Sequence, residues 1–587
     1  MHGYHGRYLR VDLTTGDAAD EPLEEQVLRQ VVGGVGLASY LLNELCPVGA
    51  EPLGPANPLV LATSPFVGTG ITTAAKLAVA ARSPQTGFVG DSLSSSYLAI
   101  NLKRTGFDAL VVTGRAAGPT LLVVDGPVAR LEPAEDLLGL APAATSDAVR
   151  ARLGTGFRVA AVGLAGERQV RYASIVNDGR LAGRTGAGAV MGSKNLKAIA
   201  IRGDRLPTVA EPRRLAEAAR ALAARSLGPA TAKYRELGTA ANLAFFERIG
   251  VLPSRNWADG GFEGAGALAG ETLLVEHGVD RHACAACTVG CDHHYRTRDA
   301  GPAVETRLEY ETLFALGPLC GIADPNAVLR AAARCDELGL DAISTGATIA
   351  WAMECRKRGV SLCRGEHVPA FGDADGVLNT IDAIARRAGV GDLLAEGTRR
   401  AAEVVGQGSA EWAMHVKGLE MPGYDPRKLP TLALGLAVAT RGACHNRSSA
   451  YEVDLSDRLG DDASIDARAR AAAETEDGAA LLDSLTLCKF LRGCFRDLPA
   501  EAAELYELVT GLPTTGVDLR RAGARIVNLK KLFNIRQGWT RSDDSLPPRL
   551  RADVPDLDAL IAAYYRVRGW NADGTIPAST LQELAFV

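Results

Sequence analysis

The sequence predicts an α+β fold: a β-rich N-terminal domain followed by two mainly α-helical domains. Three observations predict it. Short apolar runs bounded by Gly and Pro fill residues 1–206. From Glu211 onward the apolar spacing becomes helical, in long Ala-rich stretches. A loop rich in Gly and Pro, Pro422 to Pro430, then interrupts the helical part. These features place domains at 1–206, 207–415 and 416–587, and a chain of 587 residues is too long for one core.

In the first domain, Tyr8–Asp12 and the Thr14-Thr15-Gly16 turn read as the start of a hairpin. Pro58–Ala62, Ala109–Thr113, Thr120–Val124, Val159–Val162 and Ala198–Ile201 read as further strands. One helix is expected here, Gly34–Leu45. Gly34 and Gly36 are read as packing residues, because no clear strand precedes them to make a dinucleotide fingerprint. Beyond Pro207, helices are expected at Ala327–Glu337 and Ala342–Arg358.

The bulk numbers exclude several classes. A hydrophobic fraction of 47 % suits well-buried interiors, and a net charge of −5 leaves no nucleic-acid footprint. No run of about 18 apolar residues occurs, so no membrane span is expected. Met1 to Arg10 lacks the apolar core of a signal peptide, and a cytoplasmic protein is the default expectation. Cys46, Cys320, Cys335, Cys355, Cys363, Cys444 and Cys494 are scattered singly and read as small buried residues.

The clustered cysteines carry more information. Cys284-Ala-Ala-Cys287-Thr-Val-Gly-Cys291 can bring three thiolates to one metal centre from a single loop. A four-iron cluster needs a distant fourth thiolate. The rival is a zinc site completed by His293 or His294.

Asp336-Glu-Leu-Gly339-Leu340-Asp341 joins two helical runs, Gly339 suiting a C-cap and Asp341 an N-cap. Asp483-Ser-Leu-Thr486-Leu487-Cys488 has a similar form. Such junctions seat polar heterocycles and anions, although plain helix corners share the pattern. The Gly-rich segment from Gly183 to Lys197 reads equally as a phosphate wrap, with Arg184, Lys194 and Lys197 supplying charge, or as a surface turn.

Taken in order along the chain, these segments resemble the aldehyde:ferredoxin oxidoreductases. Arg82-Ser-Pro-Gln-Thr-Gly87, Leu308-Glu309-Tyr310-Glu311-Thr312 and Arg441-Gly-Ala-Cys444-His445 add to the resemblance, which spans most of the chain. It implies a β-rich base for two pterins that together hold tungsten or molybdenum, covered by two helical domains. It implies that Cys284, Cys287, Cys291 and Cys488 bind one 4Fe-4S cluster. Lys76, Ser95, Arg184, Thr185, Asp336, Gly339, Leu340, Asp341, Asp483, Leu487 and Lys489 would contact the pterins. Magnesium bridges the pterin phosphates in the family, but Leu93 stands where relatives often have Asn, which leaves that ion open. Thr486 in place of Gly, and Lys76 in place of Arg, are further departures.

Glu311 and His445 match the family's proton-handling positions. The implied reaction converts an aldehyde to a carboxylic acid, with electrons leaving through the cluster to ferredoxin or a ferredoxin-like carrier. The alternatives are reduction of an aromatic acyl-thioester on the same scaffold, in which Cys320 is a candidate metal ligand, and an electron-relay subunit. A small-molecule substrate is expected, with a homodimer or a hetero-complex both open.

Overall fold

Side-chain alternation organises the N-terminal part. The computed structural model describes residues 1–205, 207–363, 367–460 and 463–584; residue 206, the expected end of the first domain, lies outside them. Twelve strands form two six-stranded sheets. The first contains β1 (Arg7–Asp12), β2 (Ala18–Pro22), β3 (Leu59–Ala62), β4 (Lys76–Arg82), β5 (Val89–Ser95) and β6 (Ala109–Thr113), in the order β2-β1-β6-β3-β4-β5. The second contains β7 (Thr120–Asp125), β8 (Val128–Pro133), β9 (Arg158–Val162), β10 (Ile175–Asn177), β11 (Arg180–Ala182) and β12 (Leu196–Arg202), in the order β11-β10-β9-β12-β7-β8.

The sheets face each other through alternate residues. Leu9, Leu61, Val79 and Val112 meet Leu122, Val124, Val162 and Ile199 in one core. The intervening residues Val60, Ala78 and Val111 pack with Val35 and Leu42 of the helix Gly34–Leu45. Leu121, Val123 and Val159 cover Val149 of the helix Pro142–Leu153. Apolar side chains on both faces explain why these strands read as continuous apolar runs. Each fully buried Val or Leu contributes about 1.5–3 kcal/mol.

The expectation of one helix in this region is corrected. Glu25–Val31, Tyr97–Arg104, Pro142–Leu153 and Ala187–Ser193 are also helical. Strands β4 and β5 were not expected either. β5 carries Asp and Ser, which lower strand propensity, and its pairing with β4 from Lys76↔Ser95 to Arg82↔Val89 overrides that.

The helical part begins as expected. Asp324 caps Pro325–Leu338, accepting the Asn326 N–H at 3.0 Å. Gly339 ends that helix with φ 73°, and Asp341 caps Ala342–Lys357 by accepting the Ile343 N–H at 3.1 Å. The 20-residue helix Ile465–Ser484 packs between Gly516–Arg536 and Leu557–Arg568. A small antiparallel sheet interrupts this region: β13 (Gly278–His282), β14 (Asp292–Arg296) and β15 (Glu305–Arg307). Its polar sequence gave no strand signal, and its first hairpin carries the cysteine run as its connection. Among the described residues, no single helix is long and apolar enough to cross a membrane.

Candidate active site

The two helix-end motifs converge beside β5, the edge strand of the first sheet. In the first motif Gly339 is left-handed; in the second Thr486 takes the same conformation, φ 58°. A β-branched residue there is strained. Its hydroxyl offsets this by bonding the Ala74 carbonyl at 2.9 Å and the Ser64 hydroxyl at 2.8 Å. Gly34 presses on this turn, where a Cβ would lie 2.5 Å from the Asp483 carbonyl oxygen at φ +46°. Gly34→Ala is therefore expected to destabilise the protein by about 2 kcal/mol or more. Thermal unfolding checks this, and an unchanged midpoint would remove the packing role.

Asp336 is half-buried, and burial, only partly offset by Arg307, pushes its carboxyl up to about 6. No side-chain hydrogen bond holds that carboxyl among the described residues. Asp483 is buried and accepts from Arg447 at 2.6 Å. Asp341 accepts from the Ser344 hydroxyl at 2.7 Å and from Arg184 at 3.3 Å. Arg184 also donates to the Ala443 and Glu420 carbonyls at 2.8 and 2.7 Å. Thr185, at φ 72°, turns its hydroxyl back to the Arg184 carbonyl at 2.6 Å. Ser92 of β5 donates to that same carbonyl at 2.9 Å. Lys76 and Ser95 are half-buried and lie opposite each other across β4 and β5. Leu340 and Leu487 are fully buried, so their side chains serve packing. Lys194 and Lys197 turn elsewhere: their ammonium groups are held by the carbonyls of Pro55, Gly114, Leu140 and Val162.

Several charged residues here were not expected from the sequence. Buried Asp91 on β5 accepts from Arg447 at 2.6 Å and Lys530 at 3.3 Å. Burial opposes its ionisation, yet Arg447, Lys530 and Arg441 hold it well below the usual carboxylate range. Arg441 donates to the Asp91 carbonyl and, at 2.8 Å, to the Cys444 sulfur. Burial raises the Cys444 thiol, but Arg441, Arg447 and Arg184 outweigh it and bring it down to about 7. Cys444 is thus not the inert buried thiol its isolation in the sequence suggested. Arg441 and Arg447 flank His445, which was a usable signal; Lys530 lies mid-helix and gave none.

The Lys489 ammonium nitrogen and Arg441 Nε are buried without a protein partner. Burial, aided by Arg447 and Arg492, lowers Lys489 to about 8 despite Asp483. Buried unpartnered cations are costly, so a phosphate-bearing ligand suits this surface, and Asp336 and Asp483 suit the N–H groups of a pterin ring.

Glu311 and His445 come together in the lining of a cavity of about 350 Å³. Glu311 stands in the first turn of the helix Tyr310–Leu316 and accepts the Gly423 N–H at 3.0 Å. Burial pushes its carboxyl up to about 8, against the Gly423 bond and Arg184. His445 Nδ1 is 3.2 Å from Glu311 Oε1 but not aligned for a hydrogen bond, which leaves both atoms without a partner. Burial and then Lys489 and Arg184 hold the imidazole neutral, and Tyr424 stacks on it at 4.6 Å. Glu309, two residues earlier, is half-exposed and lies 3.5 Å from Arg307.

The four thiols Cys284, Cys287, Cys291 and Cys488 share one neighbourhood. Burial raises Cys291, and the nearby Cys488, Cys284 and Cys287 raise it further. One β-loop ties the pieces together: Thr73 donates its N–H to the Ala286 carbonyl, and its hydroxyl accepts the Cys488 N–H at 3.1 Å. Among the described residues, the group with three donor atoms within 4.8 Å is Asp280, His282 and His294, not these thiols. His293, one of the rival zinc ligands, packs against Gly238 with its Nε2 buried and unpartnered. Cys320 is fully buried, with its thiol directed at the Ala315 and Gly346 carbonyls at 3.4 and 3.6 Å.

Comparison with known proteins gives a consistent result. The family described as aldehyde ferredoxin oxidoreductase, N-terminal domain, matches residues 8–203, and domains 2 and 3 of the same family match residues 216–586. A tungsten-containing aldehyde ferredoxin oxidoreductase of Pyrococcus furiosus is 35 % identical, covering 100 % of this chain and 99 % of that one. A protein of the same description from Thermococcus kodakarensis is 34 % identical with the same coverage. Among solved structures, the active site complex BamBC of benzoyl coenzyme A reductase superposes with a TM-score of 0.86 at 23 % identity, over 99 % of this chain and 97 % of that chain, which shows a shared fold. With full-length identity above 30 % and both parts of the family matched in order, this chain is an enzyme of the aldehyde ferredoxin oxidoreductase family.

Proposed function

We propose that this enzyme oxidises an aldehyde to the carboxylic acid and passes the electrons to ferredoxin or a similar carrier. The observation that carries this reading is the Glu311–His445 pair, whose facing atoms lie 3.2 Å apart in the lining of a cavity beside the cation-rich surface. A tungsten or molybdenum ion held by two pterins would supply the two-electron chemistry, and a 4Fe-4S cluster the one-electron exit. Lys76, Ser95, Arg184, Thr185, Asp336, Asp341, Asp483 and Lys489 would hold the pterins, with Gly339, Leu340 and Leu487 shaping the turns. Leu93 offers no side-chain oxygen, so a magnesium ion between the phosphates would depend on main-chain carbonyls. The division at 1–206, 207–415 and 416–587 belongs to the same proposal.

The chain's own residues manage the proton and the substrate. Glu311, held neutral near pH 7, gives or takes a proton as its carboxyl titrates near 8. His445, neutral and braced by Tyr424, offers one nitrogen as donor and the other as acceptor. Tyr234, Phe245, Phe246, Tyr310 and Phe490 line the cavity and give it an apolar wall suited to an aliphatic or aryl group.

Viologen dye assays of the purified enzyme test the reading: reduction of oxidised dye with a panel of aldehydes in one arm, and oxidation of reduced dye with an aromatic acyl-thioester in the other. Aldehydes are expected to give turnover. Silence on aldehydes with turnover in the other arm would replace the reading.

The pterin contacts have a separate test. Asp336→Ala and Asp483→Ala are each expected to lower pterin and tungsten content, because each leaves ring N–H groups unpaired. The Asp483 change is expected to be the larger, since it also removes one of the two carboxylates that hold Arg447. Full cofactor content in both variants would remove the contacts.

A further inference from the structure

The hairpin that carries the three cluster cysteines also carries a second set of donors. Register pairs Asp280 with His294 and His282 with Asp292 across β13 and β14. Residues two apart on a strand share a face, so the four side chains form a cross-strand square with the imidazoles on one diagonal. Donor atoms of Asp280, His282 and His294 lie within 4.8 Å of one another. His282 Nε2 is 3.1 Å from Asp280 Oδ2, and the two imidazole rings meet edge-on at 4.5 Å between centroids. All three side chains reach solvent, whereas Asp292 is 8 % exposed.

Asp292 differs in role. Its carboxylate receives Arg180 at 2.5 Å and lies 3.3 Å from His294 Nε2. A carboxylate behind an imidazole fixes the ring and raises its basicity toward a metal. Arg281, between Asp280 and His282 in sequence, projects to the other face and donates to the Arg235 carbonyl at 2.8 Å. Of the nearby guanidinium groups, Arg180 is held by Asp292 and Arg281 by the Arg235 carbonyl.

We propose that Asp280, His282 and His294 bind one divalent transition-metal ion of the zinc type, with Asp292 orienting His294. Two imidazoles and a carboxylate suit Zn²⁺ or Fe²⁺; Ca²⁺ and Mg²⁺ demand more oxygen ligands. The ion is separate from the thiols in its donors, which lie on the paired strands, whereas Cys284, Cys287 and Cys291 lie in the loop between them. It joins the strand that leads into Cys284 to the strand that leaves Cys291, so it clamps both ends of the cysteine loop.

Purified full-length holoenzyme, washed with a mild chelator and titrated with Zn²⁺, tests this, with zinc and iron counted by mass spectrometry. One zinc per chain is expected. His282→Ala and His294→Ala should each weaken zinc binding by about 100-fold or more, and Asp292→Asn by about 10-fold. Iron content should stay at the wild-type level in these variants. Zinc-loaded wild type should release iron to a strong chelator more slowly than either histidine variant does. No zinc uptake, or stoichiometric uptake undiminished in both histidine variants, overturns the proposal.

Discussion

Glu311→Gln is expected to lower turnover by about 10²-fold or more while tungsten, pterin and iron contents stay at wild-type levels. Gln keeps the size of the side chain and can still accept the Gly423 N–H, so local structure survives. What it loses is the proton. Burial raises the Glu311 carboxyl to about 8, so the protonated form dominates at neutral pH and the carboxylate appears as pH rises. A base is active as its carboxylate, so wild-type aldehyde oxidation should climb between about pH 7 and 9, and the Gln variant should lose that climb. His445→Asn should lower turnover similarly, since it removes the imidazole beside Glu311 Oε1. Glu309→Gln is the control: that side chain is half-exposed and pairs with Arg307, so turnover near wild type is expected. An essential Glu309 with a dispensable Glu311 would invert the assignment. Loss of tungsten in the Glu311 variant would make it a support for the cofactor instead.

Cys488→Ala and Cys284→Ala are each expected to strip most of the iron and abolish dye reduction. A four-iron cluster takes four thiolates, and loss of one leaves an iron without its ligand. Cys488 is the more informative, because it lies about 200 residues from the other three and reaches them only through folding. Iron analysis and the cluster's electron paramagnetic resonance signal check the result; full iron in Cys488→Ala would exclude it as a ligand. Cys494→Ala should change neither, since its thiol only approaches the Arg225 carbonyl at 3.8 Å.

Local patterns in the sequence carried much of this molecule. The strands whose two faces are both covered, such as Ala109–Thr113 and Leu196–Arg202, contain the apolar runs the sequence showed, because every position but Thr113 and Arg202 is buried. Gly339 and Asp341 announced a C-cap and an N-cap, since αL backbone and an unpaired helix N–H each favour particular residues. The cysteine spacing marked a single loop, and that run is the connection between β13 and β14. Polar strands escaped notice. β5 and β14 are built from Asp, Ser and His, and they are strands because a neighbour's backbone is waiting for them.

What only the tertiary structure decided lies between distant segments. No local rule joins Asp91 to Arg447 and Lys530, or Glu311 to His445, because an ion pair or a proton pair depends on distance in space. The same holds for ionisation. Glu311 and Glu309 are identical in sequence terms, yet one titrates near 8 and the other faces solvent, since desolvation acts only where the fold removes water. The sequence by itself determined the order of elements, their caps and the cysteine loop, whose causes act over a few residues. The tertiary structure decided which charges are buried together, and therefore which carboxyl can hold a proton at neutral pH.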